Sequence, residues 1–159
     1  MVHILLACTL KGGIGYQNKI PWYIPDDLKL FKQLTLNKTV VMGRKTWDSL
    51  PNSVKPLPHR KNVIISSKLT VDNIEDVVVV NSLENAIKSY PDAIYIGGAQ
   101  IYNTLIDKNL VTSANITFVH NSYECDTFVN IDKLRDRLHK IVDVNVNNVF
   151  THMYITFLF

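Results

Sequence analysis

Asp27 occupies a position where an unpaired carboxylate is costly. Helix residues advance about 100° each, so on the segment from Asp26 to Leu34 the side chains of Leu28, Leu30, Phe31 and Leu34 gather into one apolar arc. Asp27 falls in the middle of that arc, while Asp26, Lys29, Lys32 and Gln33 take the opposite one. A carboxylate on an apolar face must be paired or neutralised. Two readings share this placement. One is an acidic first turn after Pro25, complementing the helix dipole; the other is a functional acid buried for use. Asp26 can serve the first role from the solvent side, which leaves Asp27 for the second.

Anion chemistry is suggested elsewhere. Two strand-to-helix turns carry glycine, at Val40-Val41-Met42-Gly43-Arg44-Lys45-Thr46 and at Ile94-Tyr95-Ile96-Gly97-Gly98-Ala99-Gln100. Glycine lets backbone amides approach a ligand, and the helix start that follows favours an anion. Neither turn has full dinucleotide-fingerprint or Walker spacing, so each reads equally as tight-turn chemistry. Arg44 and Lys45 beside the first turn, with Ser66, Ser67 and Lys68 ending a nearby strand, make either a cradle for a phosphate monoester or a solvated basic face. The segment Lys11 to Ile24, with Gly12, Gly13, Gly15, Pro21 and Trp22, is either a lid that excludes water or simply a long connection.

Other chemistries are excluded. Histidines 3, 59, 120, 139 and 152 form no pair at metal or nucleophile-base spacing and read as ordinary surface or core residues; there is no nucleophile elbow, and no metal is expected. Cys8 and Cys125 are too few for a disulfide framework and read as reduced thiols. The apolar run Val2 to Leu10 has no basic leader and is half the length of a membrane span, so it reads as a strand of a cytoplasmic protein. The acceptor patterns at Asn37 and Asn115 are discounted for the same reason. A net charge of +3 with scattered basic residues gives no nucleic-acid footprint.

Elements that position these residues follow from the pattern. The 159 residues, 47% apolar and 19% charged, fit one domain over 1–159 with a sizeable core. Strands are predicted at Ile4 to Cys8, Thr39 to Met42, Val63 to Ser66, Val77 to Val80, Ala93 to Ile96 and Ile116 to His120. Helices alternate with them at Asp26 to Leu36, Lys45 to Leu50, Leu83 to Ser89 and Gln100 to Ile106. Ile141 to Val146 and Phe150 to Phe157, separated by Asn147 and Asn148, read as an antiparallel hairpin. The fold class is therefore α/β: a mostly parallel central sheet, flanking helices and a C-terminal hairpin. Pro51 to Pro58 reads as a surface loop.

Five segments together resemble the dihydrofolate reductase family over essentially the full chain. They are Ile14-Gly15 through Asn18; Ile20-Pro21-Trp22-Tyr23-Ile24-Pro25-Asp26-Asp27-Leu28-Lys29-Leu30-Phe31; Val41-Met42-Gly43-Arg44-Lys45-Thr46-Trp47; Leu57-Pro58-His59-Arg60-Lys61-Asn62; and Ile96-Gly97-Gly98-Ala99-Gln100-Ile101-Tyr102. Aspartate at 27 looks like the family's bacterial form. Gln100, Cys125 and a longer Pro51–Pro58 loop depart from that form.

The resemblance implies NADPH-dependent reduction of 7,8-dihydrofolate to tetrahydrofolate by hydride transfer to C6 and protonation of N5, in the service of one-carbon metabolism. It implies that Asp27 binds the pterin and supports protonation, that Thr117 bridges to that carboxylate, and that Trp22 holds an ordered water. Leu28, Phe31, Leu50 and Leu57 would sandwich the substrate rings, with the backbone of Leu5 and Leu6 facing the pterin and Arg60 pairing with the glutamate-tail carboxylate. NADPH would lie across Ala7; Ile14, Gly15, Tyr16, Gln17 and Asn18; Gly43, Arg44, Lys45 and Thr46; Ser66 and Ser67; and Gly97, Gly98, Ala99, Gln100, Ile101 and Tyr102. The peptide joining Gly97 and Gly98 would be cis. Antifolates such as methotrexate or trimethoprim would bind, and a monomer is expected, with no nucleic-acid or membrane partner. A related reductase acting in riboflavin synthesis would keep the glycine turns without needing Asp27 and Arg60 together. A non-catalytic pterin or nucleotide binder, or a domain of a fusion with thymidylate synthase, forms the other alternative.

Overall fold

Alternating β-branched runs and amphipathic helices produce ten strands and five α-helices in a computed structural model that describes residues 1–158. Phe159, the last residue of the expected 1–159 domain, lies outside the described residues. The elements in chain order are β1 (His3–Cys8), β2 (Gly13–Gly15), α1 (Pro25–Thr35), β3 (Thr39–Gly43), α2 (Arg44–Ser49), β4 (Lys61–Ile65), β5 (Val77–Val80) and α3 (Leu83–Ser89). There follow β6 (Ile94–Tyr95), α4 (Ala99–Asp107), β7 (Ser113–Val119), β8 (Thr127–Phe128), α5 (Ile131–Arg135), β9 (Leu138–Val146) and β10 (Phe150–Phe157).

Eight strands form one sheet in the order β5-β4-β3-β6-β1-β7-β10-β9. Pairing is parallel from β5 through β7; β10 runs against both β7 and β9. The mostly parallel sheet with an antiparallel hairpin at its end is thus as the sequence predicts.

Register divides the sheet into two faces. On one, Ile4, Leu6 and Cys8 of β1 lie with Val41, Val63, Tyr95, Ala114, Ile116, Ile155 and Phe157 in a core closed by Ala86 of α3 and by Ile101, Leu105 and Ile106 of α4. On the other, Val40, Met42, Ile64 and Val77 pack with Trp47 of α2, Leu57, and Phe31 of α1. Each buried CH2 on these faces contributes about 0.8 kcal/mol, which makes the layered core the main source of stability.

The differences from the sequence reading have local causes. β7 begins at Ser113 rather than Ile116 and alternates polar with apolar residues, because only one of its faces meets the apolar core. Leu28 is 51% exposed instead of joining the covered arc. It stands about 100° from Asp27, on the margin of the helix. That margin is closed at Thr35, two turns on, and open at Leu28, so the first turn of α1 lies at an open edge. The small β2–β8 sheet and α5 carry no sequence signal, being only two to five residues long. Pro51–Pro58 is a loop containing a short 3-10 turn, Asn52–Val54, and a cis Lys55–Pro56 bond, but Leu57 within it is buried.

Candidate active site

α1 begins at Pro25 without any side-chain cap, so neither Asp26 nor Asp27 serves as one. The Asp27 carboxylate instead meets β7: the Thr117 hydroxyl donates to Asp27 Oδ1 at 2.7 Å. Burial pushes the Asp27 carboxyl above the ordinary aspartate range, while the Thr117 hydrogen bond and the nearby His152 imidazole pull it back. A half-buried acid held by a donor is equipped to bind an amidine-like edge of a ligand and to manage a proton there.

Behind Thr117 lie histidines that sequence spacing alone does not distinguish from ordinary core residues. The buried His152 places Nδ1 2.9 Å from the Thr117 hydroxyl and Nε2 3.0 Å from the Asn115 amide nitrogen. Asn115 Oδ1 is 2.8 Å from His3 Nε2, and His3 Nδ1 is 2.7 Å from the Ser113 hydroxyl. Residues 3 and 152 are far apart in sequence, and register brings them together: His3 lies opposite Ser113 and His152 opposite Thr117. The signal was present as alternation, with polar Ser113, Asn115 and Thr117 interleaved with Ala114 and Ile116, and His152 and Tyr154 with Met153 and Ile155.

Arg60 is buried at the far end of α1. Its Nε donates to the Pro58 carbonyl at 2.8 Å and Nη1 donates to the Thr35 hydroxyl at 3.0 Å; that hydroxyl in turn donates to the Phe31 carbonyl at 2.8 Å. Asn62, fully buried, ties the same turn by accepting from the Leu57 N–H and donating to the Leu57 and Arg60 carbonyls. Burial lowers the Arg60 pKa from its ordinary value, and among the described residues no carboxylate pairs with it. A rigidly held buried cation of this kind suits a carboxylate ligand.

The two glycine turns form a single strip, since β3 and β6 are neighbours and the Gly43 N–H donates to the Gly97 carbonyl at 2.8 Å. The Gly97–Gly98 peptide is cis, and Gly97 has φ 129°. A Cβ on Gly97 or Gly98 would come within 3.3 or 3.2 Å of the Thr46 hydroxyl, so this backbone admits glycine alone without displacement. Gly98 precedes α4 with no side-chain cap, leaving the first amides of that helix available to an anion. These features fit the pyrophosphate of a dinucleotide. Arg44 and Lys45 are exposed at the start of α2, where Arg44 Nε pairs with Asp48 at 3.0 Å, and the Ser66 hydroxyl accepts from the Lys68 and Leu69 amides.

Other predicted residues are distributed as follows. Ala7 lies opposite Thr117 and is half-buried, and Leu5 is buried with its carbonyl accepting from the Tyr102 hydroxyl at 2.5 Å. Leu6, Ile101 and Tyr102 put their side chains into the core on the other face, so only their backbone can reach a ligand. Phe31 and Leu50 pack at the edge of the cluster holding Leu57. Trp22 packs against Tyr123 with ring centroids 5.3 Å apart and planes tilted by 56°, in a separate cluster with Ile24, Val119 and Phe150.

The connection from Lys11 to Ile24 is pinned between Gly12 and Lys19, while Ile20 and Tyr23 beyond are exposed. Gly13 and Gly15 pair with β8, the Gln17 N–H donates to Asp126 Oδ2 at 2.9 Å, and the Tyr16 and Lys19 backbones bond each other across Gln17 and Asn18, both at positive φ. Cys125 fills the space at Gly13, where a Cβ would stand 2.6 Å from its sulfur. Two clefts flank α1. One of about 480 Å³ lies at its first turn beside Tyr23, Asp26 and Asn147; another of about 330 Å³ lies at its last, lined by His3, Leu5, Leu34 and Asn115. Among the described residues no cluster could hold a metal ion, and no helix is long and apolar enough to cross a membrane.

Comparison with known proteins assigns a family to this arrangement. The family model described as dihydrofolate reductase matches residues 1–156. Dihydrofolate reductase of Buchnera aphidicola subsp. Acyrthosiphon pisum is 45% identical over 128 residues, 77% of this chain and 77% of that protein. The Staphylococcus aureus enzyme of the same name is 41% identical over 126 residues, 79% of this chain and 75% of its own. The bifunctional dihydrofolate reductase-thymidylate synthase 2 of Arabidopsis thaliana is 37% identical over 144 residues; the match covers 79% of this chain but only 26% of that longer protein.

Proposed function

The chain belongs to the dihydrofolate reductase family and catalyses reduction of dihydrofolate to tetrahydrofolate, and from that premise we propose which residues do the work and that NADPH is the reductant. The observation that carries the site assignment is the Thr117–Asp27 hydrogen bond of 2.7 Å beneath an open first turn of α1. Asp27 binds the pterin edge through its carboxylate. Its raised affinity for a proton suits it to support protonation at N5. Thr117 orients the carboxylate, and Trp22 holds a water in reach of the site. Leu28, Phe31, Leu50 and Leu57 enclose the rings, and Arg60 pairs with the α-carboxylate of the glutamate tail of the substrate.

NADPH, when bound, supplies the hydride for C6. The Gly97–Gly98 turn and the start of α4 would hold its pyrophosphate through backbone amides, with Gly43 keeping the neighbouring strand end free of a side chain. Arg44, Lys45, Ser66 and Ser67 favour the additional phosphate that distinguishes NADPH from NADH. The segment from Ile14 to Asn18 covers the junction and keeps water from it. The remaining chemistry is alignment and exclusion of water around one carboxylate.

The test is consumption of NADPH with dihydrofolate as substrate, followed with and without methotrexate. Consumption that methotrexate suppresses is the expected result. No consumption by a folded sample, or consumption indifferent to the inhibitor, would overturn the assignment.

A further inference from the structure

The polar groups behind Asp27 have a direction. Thr117 has one hydroxyl proton, and it goes to Asp27 Oδ1 at 2.7 Å. Its oxygen must then accept from His152 Nδ1 at 2.9 Å, which makes that nitrogen the protonated one. In a neutral ring Nε2 is therefore an acceptor, and the Asn115 amide NH2 faces it at 3.0 Å. The same logic sends the His3 Nε2–H to Asn115 Oδ1 at 2.8 Å and the Ser113 hydroxyl proton to His3 Nδ1 at 2.7 Å. Every donor from Ser113 onward points towards the carboxylate, across β1, β7 and β10. Aligned hydrogen bonds polarise one another, so the arrangement favours the ionised form of Asp27.

We infer that His152 is a positioning residue for Asp27: its Nδ1–H, oriented by Asn115 and His3 behind it, holds the Thr117 hydroxyl donating to the carboxylate. The inference rests on the reading of Asp27 as the proton-managing group. Burial keeps the pKa of both His152 and His3 below the ordinary histidine value, as the neutral rings of this arrangement require. The charged groups facing His152 are Asp27 from α1 and Asp143 from β9, both favouring its cation. Lys38 opposes protonation of His3, and Tyr154 of β10 lies against the His3 ring at 5.9 Å. Asp92 lines the cleft that His3 borders. Protonation of His152 would put donors face to face at Asn115. Relief requires the Asn115 amide to turn over and His3 to change tautomer, so the chain has two satisfied states and only the neutral one has all its donors aimed at Asp27.

Long-range nitrogen–proton correlation spectra of the 15N-labelled full chain at neutral pH test the direction without any substitution. His152 should carry its proton on Nδ1 and His3 on Nε2; His152 protonated on Nε2 would overturn the inference. The pH profile of turnover provides the functional readout. His152→Leu removes the donor to Thr117, raises the carboxyl pKa and should move the falling alkaline limb up by about half a pH unit or more. His152→Asn, which keeps an amide donor near the Nδ1 position, should stay within about 0.2 unit of the parent. Unshifted limbs in both variants, or equal shifts, would contradict the role. Asp27→Asn in parallel separates the two failures: if it retains full turnover, the reading of Asp27 itself is wrong, whereas if it is inactive and the His152 limbs are unmoved, only the present inference falls.

Discussion

The sheet face covered by α1 has two halves with opposite character. Across β3, β4 and β5 it is built from Val40, Met42, Ile64 and Val77, and its chemistry sits in the backbone of glycine turns at the strand ends. Across β1, β7 and β10 the same face carries His3, Ser113, Asn115, Thr117 and His152, and its chemistry sits in side chains hydrogen-bonded along the strands. A backbone site needs only shape and helix-start amides, so the strands behind it can be wholly apolar. A carboxylate that must bind and manage a proton needs partners of defined donor direction, and a row of polar residues on one face of neighbouring strands provides them.

The largest effect belongs to the side-chain half. Asp27→Asn should lower turnover at neutral pH by about a hundredfold or more while circular dichroism shows an intact fold, because the amide is isosteric but cannot support protonation. An effect confined to the KM for dihydrofolate would make Asp27 a binding group alone. In the backbone half, Gly97→Ala forces a Cβ onto φ 129° and within 3.3 Å of the Thr46 hydroxyl. The expected outcome is a rise of about tenfold or more in the KM for NADPH, with a loss of about 1–3 kcal/mol in unfolding free energy. A neutral outcome would remove the tight backbone from the argument. Arg44→Ala should weaken NADPH by about tenfold and NADH much less, since only the former has the extra phosphate; equal losses in titrations of both would remove Arg44 from phosphate recognition.

The smallest effect concerns stability. The folded Asp27 holds its proton more tightly than the unfolded chain does, so the folded state binds more protons and stability falls as pH rises from the unfolded carboxyl value through the raised folded one. Asp27→Asn removes that loss. Its melting temperature should exceed that of the parent by about 2 °C at pH 8, with the gain shrinking towards pH 4. A gain independent of pH would mean that desolvation of the carboxylate is not its cause.

The two halves also differed in how far the sequence revealed them. Val77–Val80 and Leu83–Ser89 have in the structure the bounds that the sequence predicts, because a β-branched run and the helical stretch that follows it carry their own signals. The displacement of Asp27 from the polar arc of α1 was legible from helical period alone. The β2–β8 pairing was not, since it depends on Gly13 and Gly15 meeting Thr127 and Phe128 through backbone contacts. Nor was the histidine arrangement. A search for metal or nucleophile spacing looks along the chain, whereas His3, Asn115 and His152 meet through register between strands, His3 lying 112 residues from Asn115 and His152 lying 37 residues from it. The exposure of Leu28 was illegible for a related reason: the helical period gives an angle but not which turns a neighbouring element covers.

The most direct test of the account is the single-turnover rate of dihydrofolate reduction by the parent protein and by Asp27→Asn, compared from about pH 5 to pH 9. A large ratio is expected at neutral pH, shrinking as the solution becomes acidic, because solvent then protonates N5 without help from the protein. A ratio near one, or one that does not change with pH, would contradict the assignment of proton management to Asp27.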